Sequence, residues 1–420
     1  MNSKDSQSKK HKFFTPLERI FLTGQAHKFW VIFVLVVLFL NALLVFSQFI
    51  LVRYFTPKAE AIRRPLYSQP FYARGIYLSS WTAATSNQLA RIVDSAKQNQ
   101  INALVIDLKD SLGKVAYDSQ VPLVKELGSG EDRMKNLSGI LDDLHQKGFY
   151  LIARIPVFED KELANKKPEW AIKDRRNGRI WQDNKGLSWV DPSSTGVWDY
   201  NLDIAKEALD LGFDEINFDY VRFPSDGSMA NLVYPLWDQT ADKSEVMRQF
   251  FAYQKDKLAQ FGPRSIDLFG MNLWFVNEDN DMNIGQKLID ALPYFDYVCP
   301  MVYPSHYPAN FDGFANPADH PYEIIFSNLE KAKLFLDQQR QLQEQAQQQA
   351  KTNGQKIAPP VEYARIRPWL QAFNLGATYD LNMIKQEIKA TNDGGGFGWL
   401  LWNAVNNYSS FNGYHEETKH

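Results

Sequence analysis

GVWDYNLDIAKEALDLGFDEINFDYVRFPSDG, residues 196–227, decides how the chain is read. Residues 196–212 read as an amphipathic helix ending at Gly212. Residues 213–223 alternate as a β-strand, with Ile216 and Phe218 on one face and Asn217 and Asp219 on the other. Pro224, Asp226 and Gly227 are ordinary loop chemistry that ends it. A carboxylate carried to the last turn of a strand is an unusual cost unless it has work to do there.

The same helix–strand unit recurs along the chain. Strands are expected over 73–80, 102–110, 149–158, 213–223, 265–274, 296–304, 363–373 and 395–404. Helices are expected over 86–100, 137–148, 196–212, 244–262 and 284–295, from near Tyr322, and over 380–391. Eight strands, each followed by a helix except the last, predict an α/β fold of the (β/α)8 barrel type over residues 71–408. A doubly wound sheet is the alternative, but no glycine-rich turn follows the first strand as dinucleotide binders require. Within the barrel, DQQRQLQEQAQQQAKTNGQKIAPP (337–360) is expected to begin as helix and dissolve into a solvated polar loop. Residues 409–420 are expected to form a C-terminal tail.

Ahead of the barrel, FWVIFVLVVLFLNALLVFSQFILV (29–52) carries no charge and has the length of a membrane-spanning helix. It lacks the short apolar core and small-residue cleavage site of a signal peptide, so a retained anchor is expected. Residues 1–28 would be a cytoplasmic tail, since Lys4, Lys9, Lys10, Lys12, Arg19 and Lys28 precede the segment. Arg53, Lys58, Arg63 and Arg64 follow it in a linker over 53–70 and weaken that bias. The expected localisation is the cytoplasmic membrane, single-pass, with the barrel outside the cytoplasm.

Composition narrows the function. The 420 residues carry a net charge of −3, which points away from nucleic acid. The single cysteine, Cys299, lies in an apolar run and reads as a packing residue. No G-x-S-x-G elbow and no His-x-x-x-His spacing is present, so neither a serine hydrolase nor a metal is expected, and nothing calls for a cofactor.

In such barrels the site lies at the C-terminal ends of the strands. Polar and aromatic residues gather at the ends of the expected strands: Asp107, Lys109 and Asp110, Asp219 and Arg222, Trp274, Tyr303 and His306, Trp369 and Gln371, and Trp402. Asp110 also fits a turn, and the three tryptophans also fit simple packing. Carboxylates beside aromatic faces suit glycoside cleavage, in which one carboxyl protonates the leaving oxygen and another attacks the anomeric carbon or activates water.

The segments VIDLKDSLGKVAYDS, ARIPVFEDKELA, the long block ending in FDEINFDYVRFPSDG, MVYPSHY, RPWLQAF and WLLWNA resemble an uncharacterised bacterial family of glycoside hydrolase domains, over roughly residues 71–408. They also resemble barrel glycosidases with an acidic residue ending the fourth strand. That resemblance implies that Asp219 is the nucleophile or charge-stabilising carboxylate. Where many relatives carry a seventh-strand glutamate this chain has Gln371, so their second carboxylate does not transfer. Asp279, in EDNDMNIGQ, or Asp107 is the expected acid/base. Lys109, Asp110, Arg222, Tyr303, His306 and Gln371 are expected to position a polysaccharide or oligosaccharide, with Trp274, Trp369 and Trp402 stacking on it. Arg222 pairing with Asp219 is the alternative role for that arginine. A non-catalytic glycan-binding envelope scaffold is the competing function, and glycosyl transfer a third.

Overall fold

The computed structural model describes residues 28, 30–44, 46–47, 67–357 and 359–415. The chain divides into two units, Met1–Ile62 and Arg63–His420. In the first, residues 28, 30–44 and 46–47 are helical. No described helix is long and apolar enough to cross a membrane. Residues 1–27 of the expected tail, residues 29, 45 and 48–52 of the expected anchor, and 53–66 of the expected linker lie outside the described residues, as do 416–420.

The second unit is an eight-stranded parallel barrel. Its strands are β1 (Arg74–Leu78), β2 (Ala103–Asp107), β3 (Tyr150–Pro156), β4 (Glu215–Asp219), β5 (Arg264–Phe269), β6 (Tyr297–Met301), β7 (Arg365–Ile366 and Trp369–Gln371) and β8 (Trp399–Trp402). β7 is broken at Arg367 and Pro368, where the proline has no N–H for the ladder. The sheet closes because β8 pairs with β1 through Arg74 and Trp399, and β7 pairs with β6 through Tyr297 and Arg365.

Helices α1 (Ser86–Gln98), α2 (Leu137–Gln146), α3 (Thr195–Leu211), α4 (Lys243–Leu258), α5 (Leu288–Ala291), α6 (Pro321–Thr352) and α7 (Leu381–Asp393) follow the first seven strands. The opening stretch shows why one of them forms. Ser194 caps α3 by accepting from the Val197 amide, and Gly212 ends it at φ 129°. Its Val197, Ile204, Ala205 and Ala208 are buried in the layer between helices and barrel.

Three expected boundaries move. The fifth strand ends at Phe269, not 274, and turns at Gly270 into a short helix, Met271–Trp274. A Cβ at Gly270 would stand 2.5 Å from the Met301 carbonyl oxygen, so only glycine lets the backbones pass. The helix expected over 284–295 is one turn, Leu288–Ala291. The glutamine-rich segment stays helical to Thr352 as the end of α6, since glutamine is itself a good helix former.

Inward-facing side chains fill the barrel in tiers. Near its N-terminal end Glu215 pairs with Arg367 and accepts from Tyr150 and Ser265. Above them Asn217 donates to Asp267, as does the Trp369 indole N–H. The N-terminal opening is stoppered by residues 67–71. Phe71 stacks on Tyr150 at 4.2 Å, its amide donates to the Tyr297 hydroxyl, and that hydroxyl donates to Gln69. At the other end of the chain, Phe411 and Tyr414 are buried against Trp399.

Candidate active site

β3 and β4 bring the central group together. The inward parity of β4 puts Asp219 at the C-terminal end of the barrel, as the alternation in its sequence implies. Arg154 on the neighbouring strand β3 is buried and forms the hub. Its Nε and Nη2 both donate to Asp219 Oδ2, the former at 3.1 Å. Its Nη1 donates to Asp107 Oδ1 at 2.5 Å, and its Nε lies 4.0 Å from Asp267 Oδ2. One guanidinium therefore serves three carboxyls. Its planar array of N–H donors lets one arginine converge on one oxygen of Asp219 and reach a second acid at once.

The three carboxyls are not equivalent. Burial pushes Asp107 upward, against the pull of Arg154 and of the Tyr77 hydroxyl, which donates to its Oδ2 at 2.5 Å. Burial drives Asp267 well above the usual carboxylate range, and neighbouring Asp219 adds to the rise. Like charges in so small a space do not all ionise. Asp267, fully enclosed beneath Trp369, is the one held neutral. Asp219 keeps the strongest grip on the arginine and faces the mouth. Its Oδ1 accepts from the Tyr220 amide at 2.6 Å, and Tyr220 itself is left-handed at φ 53°. That strained turn at a strand end aims the carboxylate and starts the following loop.

Aromatic rings wall the group. Trp402 stacks on Tyr77 at 4.1 Å, and the Arg154 guanidinium lies 5.2 Å from the Trp402 ring. Tyr303 meets His306 and Phe373 edge-on. His306, on the rim, is held below the usual histidine range by partial burial and by Lys185. The loops after β3 and β4 form the remaining wall. They are stitched by the antiparallel pair Lys173–Asp174 and Leu232–Val233, and by Asp191, which accepts from the Leu236 and Trp237 amides.

Several expected site residues are placed elsewhere. Asp279 stands on an exposed turn, its side chain 92% accessible, paired with Lys287, which lowers its pKa. A proton donor needs the opposite environment. Lys109 leaves the barrel axis after β2 and is buried between Asp160 at 2.7 Å and Asn201 at 2.7 Å. Asp110 shapes its own turn by accepting from the Leu112 and Lys114 amides, and pairs with Arg133. Trp274, in the short helix after β5, packs on Phe311 under Lys331. Trp369 is 1% exposed and offers no face to a ligand. Gln371 spends its amide on Ser305, Phe373 and Leu375, which fixes the β6 and β7 loops. Arg222 lies beyond the Tyr220 turn, stacked on Trp189 and Phe269 at 4.7 and 4.8 Å, and the pairing with Asp219 that was its alternative role falls to Arg154.

Arg154, Asp267 and Tyr77 were not expected. Arg154 and Asp267 each occupy the inward parity of an expected strand, so period-two alternation alone could have found both. Among the described residues no cluster of His, Cys, Asp or Glu is arranged to hold a metal.

A closed parallel barrel with carboxylates and aromatic rings at the carboxyl ends of its strands is an enzyme-like arrangement. The chain belongs to the family described as "Putative glycosyl hydrolase domain", which it matches over residues 75–408. Among solved structures it is similar to a hypothetical protein from Ruminiclostridium thermocellum, at 38% identity over 46% of this chain and 96% of that one, with a TM-score of 0.42. It is also similar to the PgaB (BpsB) glycoside hydrolase domain of Bordetella bronchiseptica, at 11% identity over 79% and 94% of the two chains, with a TM-score of 0.53. An α-galactosidase from Thermus thermophilus matches at 14% identity over 81% of this chain and 60% of that one, with a TM-score of 0.47. No curated protein matches the chain.

Proposed function

We propose that the chain is a glycoside hydrolase acting on a cell-envelope or extracellular polysaccharide or oligosaccharide. The observation that carries this reading is the carboxyl cluster around Arg154, roofed by Trp402 and Tyr77. Asp219 is the carboxylate that meets the anomeric carbon as positive charge develops there. Arg154 fixes it through two hydrogen bonds, and neutral Asp267 beneath it adds no competing charge. Asp107, held by Arg154 and Tyr77, is a positioning residue in this scheme. Trp402 and Tyr303 offer faces to the sugar. Trp81, 63% exposed in the short helix Ser80–Ala84 after β1 and backed by Arg133 at 4.4 Å, offers a further flat face for a longer glycan.

The competing reading, a glycan-binding scaffold, predicts one isolated carboxylate beside an aromatic strip. The clustering of Asp107, Asp219 and Asp267 favours catalysis. We also propose that the segment around residues 29–52 holds the protein at the membrane with the barrel outside the cytoplasm. Its Trp30, Phe33, Leu38 and Phe39 are exposed apolar side chains, which supports a nonpolar setting.

The test is hydrolysis of envelope and exopolysaccharide fragments by the full chain and by Asp219→Asn, with products followed chromatographically. Loss of hydrolysis in the variant, with folding retained, is expected. Undiminished turnover by Asp219→Asn would remove Asp219 from the mechanism.

A further inference from the structure

We propose that Glu159 is the general acid of this site, the group that protonates the departing glycosidic oxygen. The inference rests on the glycoside hydrolase reading above and supplies a proton donor in place of Asp279, which stands in solvent, and of Asp107, whose two oxygens are already engaged by Arg154 and Tyr77.

Placement is the first argument. The chain stays joined to β4 past the end of β3, although the regular ladder breaks there: the Val157 amide donates to the Asp219 carbonyl at 2.9 Å and the Phe158 amide to the Tyr220 carbonyl at 3.4 Å. Phe158 packs outward on Phe250 of α4, at 5.5 Å between ring centroids. Glu159 follows directly, and its carboxyl interacts with Asp219 at the end of β4 and with Arg222 three residues beyond it. Its backbone is pinned by a bridge to Trp189.

Its environment is the second argument. Glu159 is 3% exposed, and its Oε1 has no hydrogen-bond partner among the described residues. A buried acceptor left without a donor is costly, and such groups gather where a ligand completes them. The groups facing it are Arg222, Asp183, Asp219 and Ser111. Arg222 is engaged by the Phe223 carbonyl and the Ser225 hydroxyl, and Asp183 by the Trp189 indole and two loop amides. Burial, the largest cause, together with Asp183 and Asp219, raises the Glu159 carboxyl to about 7 against the opposing pull of Arg222 and a hydrogen bond with Ser111. Asp267 and Glu387 are buried carboxyls with raised pKa as well. Asp267, however, lies beneath Trp369, accepting from it and from Asn217, and Glu387 sits on α7, accepting from the Gln371 amide. Neither faces the mouth.

The step balances within hydrolysis. The anomeric C–O bond breaks, its electron pair goes to the leaving oxygen, and that oxygen takes the Glu159 proton. Water adds to the anomeric carbon and its proton recharges Glu159, so glycoside and water give two hydroxyl products.

The test uses the full chain, wild type and Glu159→Gln. Nitrophenyl glycosides of hexoses, deoxyhexoses and N-acetylhexosamines, in both anomers, identify a responding sugar. Its 2,4-dinitrophenyl and phenyl glycosides are then compared. The phenyl compound needs protonation of its leaving group; the dinitrophenyl compound does not. Glu159→Gln is expected to lose about 10²–10⁴-fold in kcat on the phenyl glycoside, the usual worth of a general acid, and little on the dinitrophenyl glycoside. The wild-type activity limb that falls as pH rises through about 7 should vanish in the variant. Stability gives a readout that needs no substrate. The folded-state value of about 7 lies above the ordinary 4.5, so the folded protein holds a proton that the unfolded chain releases, and wild-type stability falls as pH rises through that window. Glutamine does not ionise, so Glu159→Gln should gain on wild type as pH rises from 4.5 to 7. Wild-type inactivity on every glycoside overturns the hydrolase reading and the acid role together. Wild-type activity that survives Glu159→Gln on the phenyl glycoside, or a stability gap that does not change with pH, overturns the acid role alone.

Discussion

Replacing Arg154 with methionine tests the site's electrostatics without any substrate. The side chain is buried, and its guanidinium faces Asp107 and Asp219 directly, with Asp267 at 4.0 Å. Methionine fills much of the volume but leaves those carboxyls without their cation. Breaking a buried pair by removing one partner costs about 3–5 kcal/mol, most of it the stranded charge. The stranded carboxyls can escape by taking up protons. Asp107 is already pushed upward by burial, and Asp219 loses its only strong donor pair with the arginine. In the variant the folded state therefore binds protons that the unfolded chain, with ordinary carboxyls near pH 4, does not. Stability of Arg154→Met should accordingly rise as pH falls, each unit below the folded-state pKa returning about 1.4 kcal/mol per carboxyl. Urea unfolding of wild type and variant at pH 8 and pH 5 measures it. The expected gap is about 3–5 kcal/mol at pH 8 and roughly half that or less at pH 5. A gap that is the same at both, or below about 1 kcal/mol throughout, would show that Arg154 is not the countercharge described here.

Other substitutions separate structural from functional roles. Lys109→Met should cost about 3–5 kcal/mol in urea unfolding by stranding Asp160, and adding Asp160→Asn should recover part of it; KM of the folded fraction should not move. Gln371→Ala should lower stability by about 1–3 kcal/mol through its lost loop hydrogen bonds, and hydrogen exchange should rise in the 303–307 and 373–376 loops. Asp279→Asn should leave kcat/KM unchanged, since the side chain pairs with Lys287 in solvent; a large fall would return it to the site.

Much of the fold is legible in the sequence, because each strand interior is an apolar alternation and each helix an apolar stripe. Asp219 was legible for the same reason: parity alone points it inward. Extending the fifth strand to Trp274 ran through Gly270, where the chain turns, and so gave weight to a tryptophan outside the barrel rather than to Asp267 within it. Lys109 shares a parity with Asp107 on paper, but the strand has ended two residues earlier and the rule with it. Glu159 lies in a loop, where no period applies, and only its burial and its unpartnered Oε1 set it apart. For Arg154, alone among apolar neighbours in LIARIPVF, parity gives the inward direction, but its partners are acids on three other strands.

The stopper at residues 67–71 and the packed end at Phe411 and Tyr414 bear on where this protein can be cut. The family match runs from 75 to 408, yet the cooperative body reaches beyond both limits. Trimming to the match would strip Phe71 from Tyr150 and unmask Trp399. It would also give water a route to the Glu215–Arg367 pair, whose strength depends on being dry. A fragment that begins before Tyr67 and ends after Tyr414 should melt as one body, whereas the trimmed fragment should fray from the end of the barrel farthest from the carboxylates.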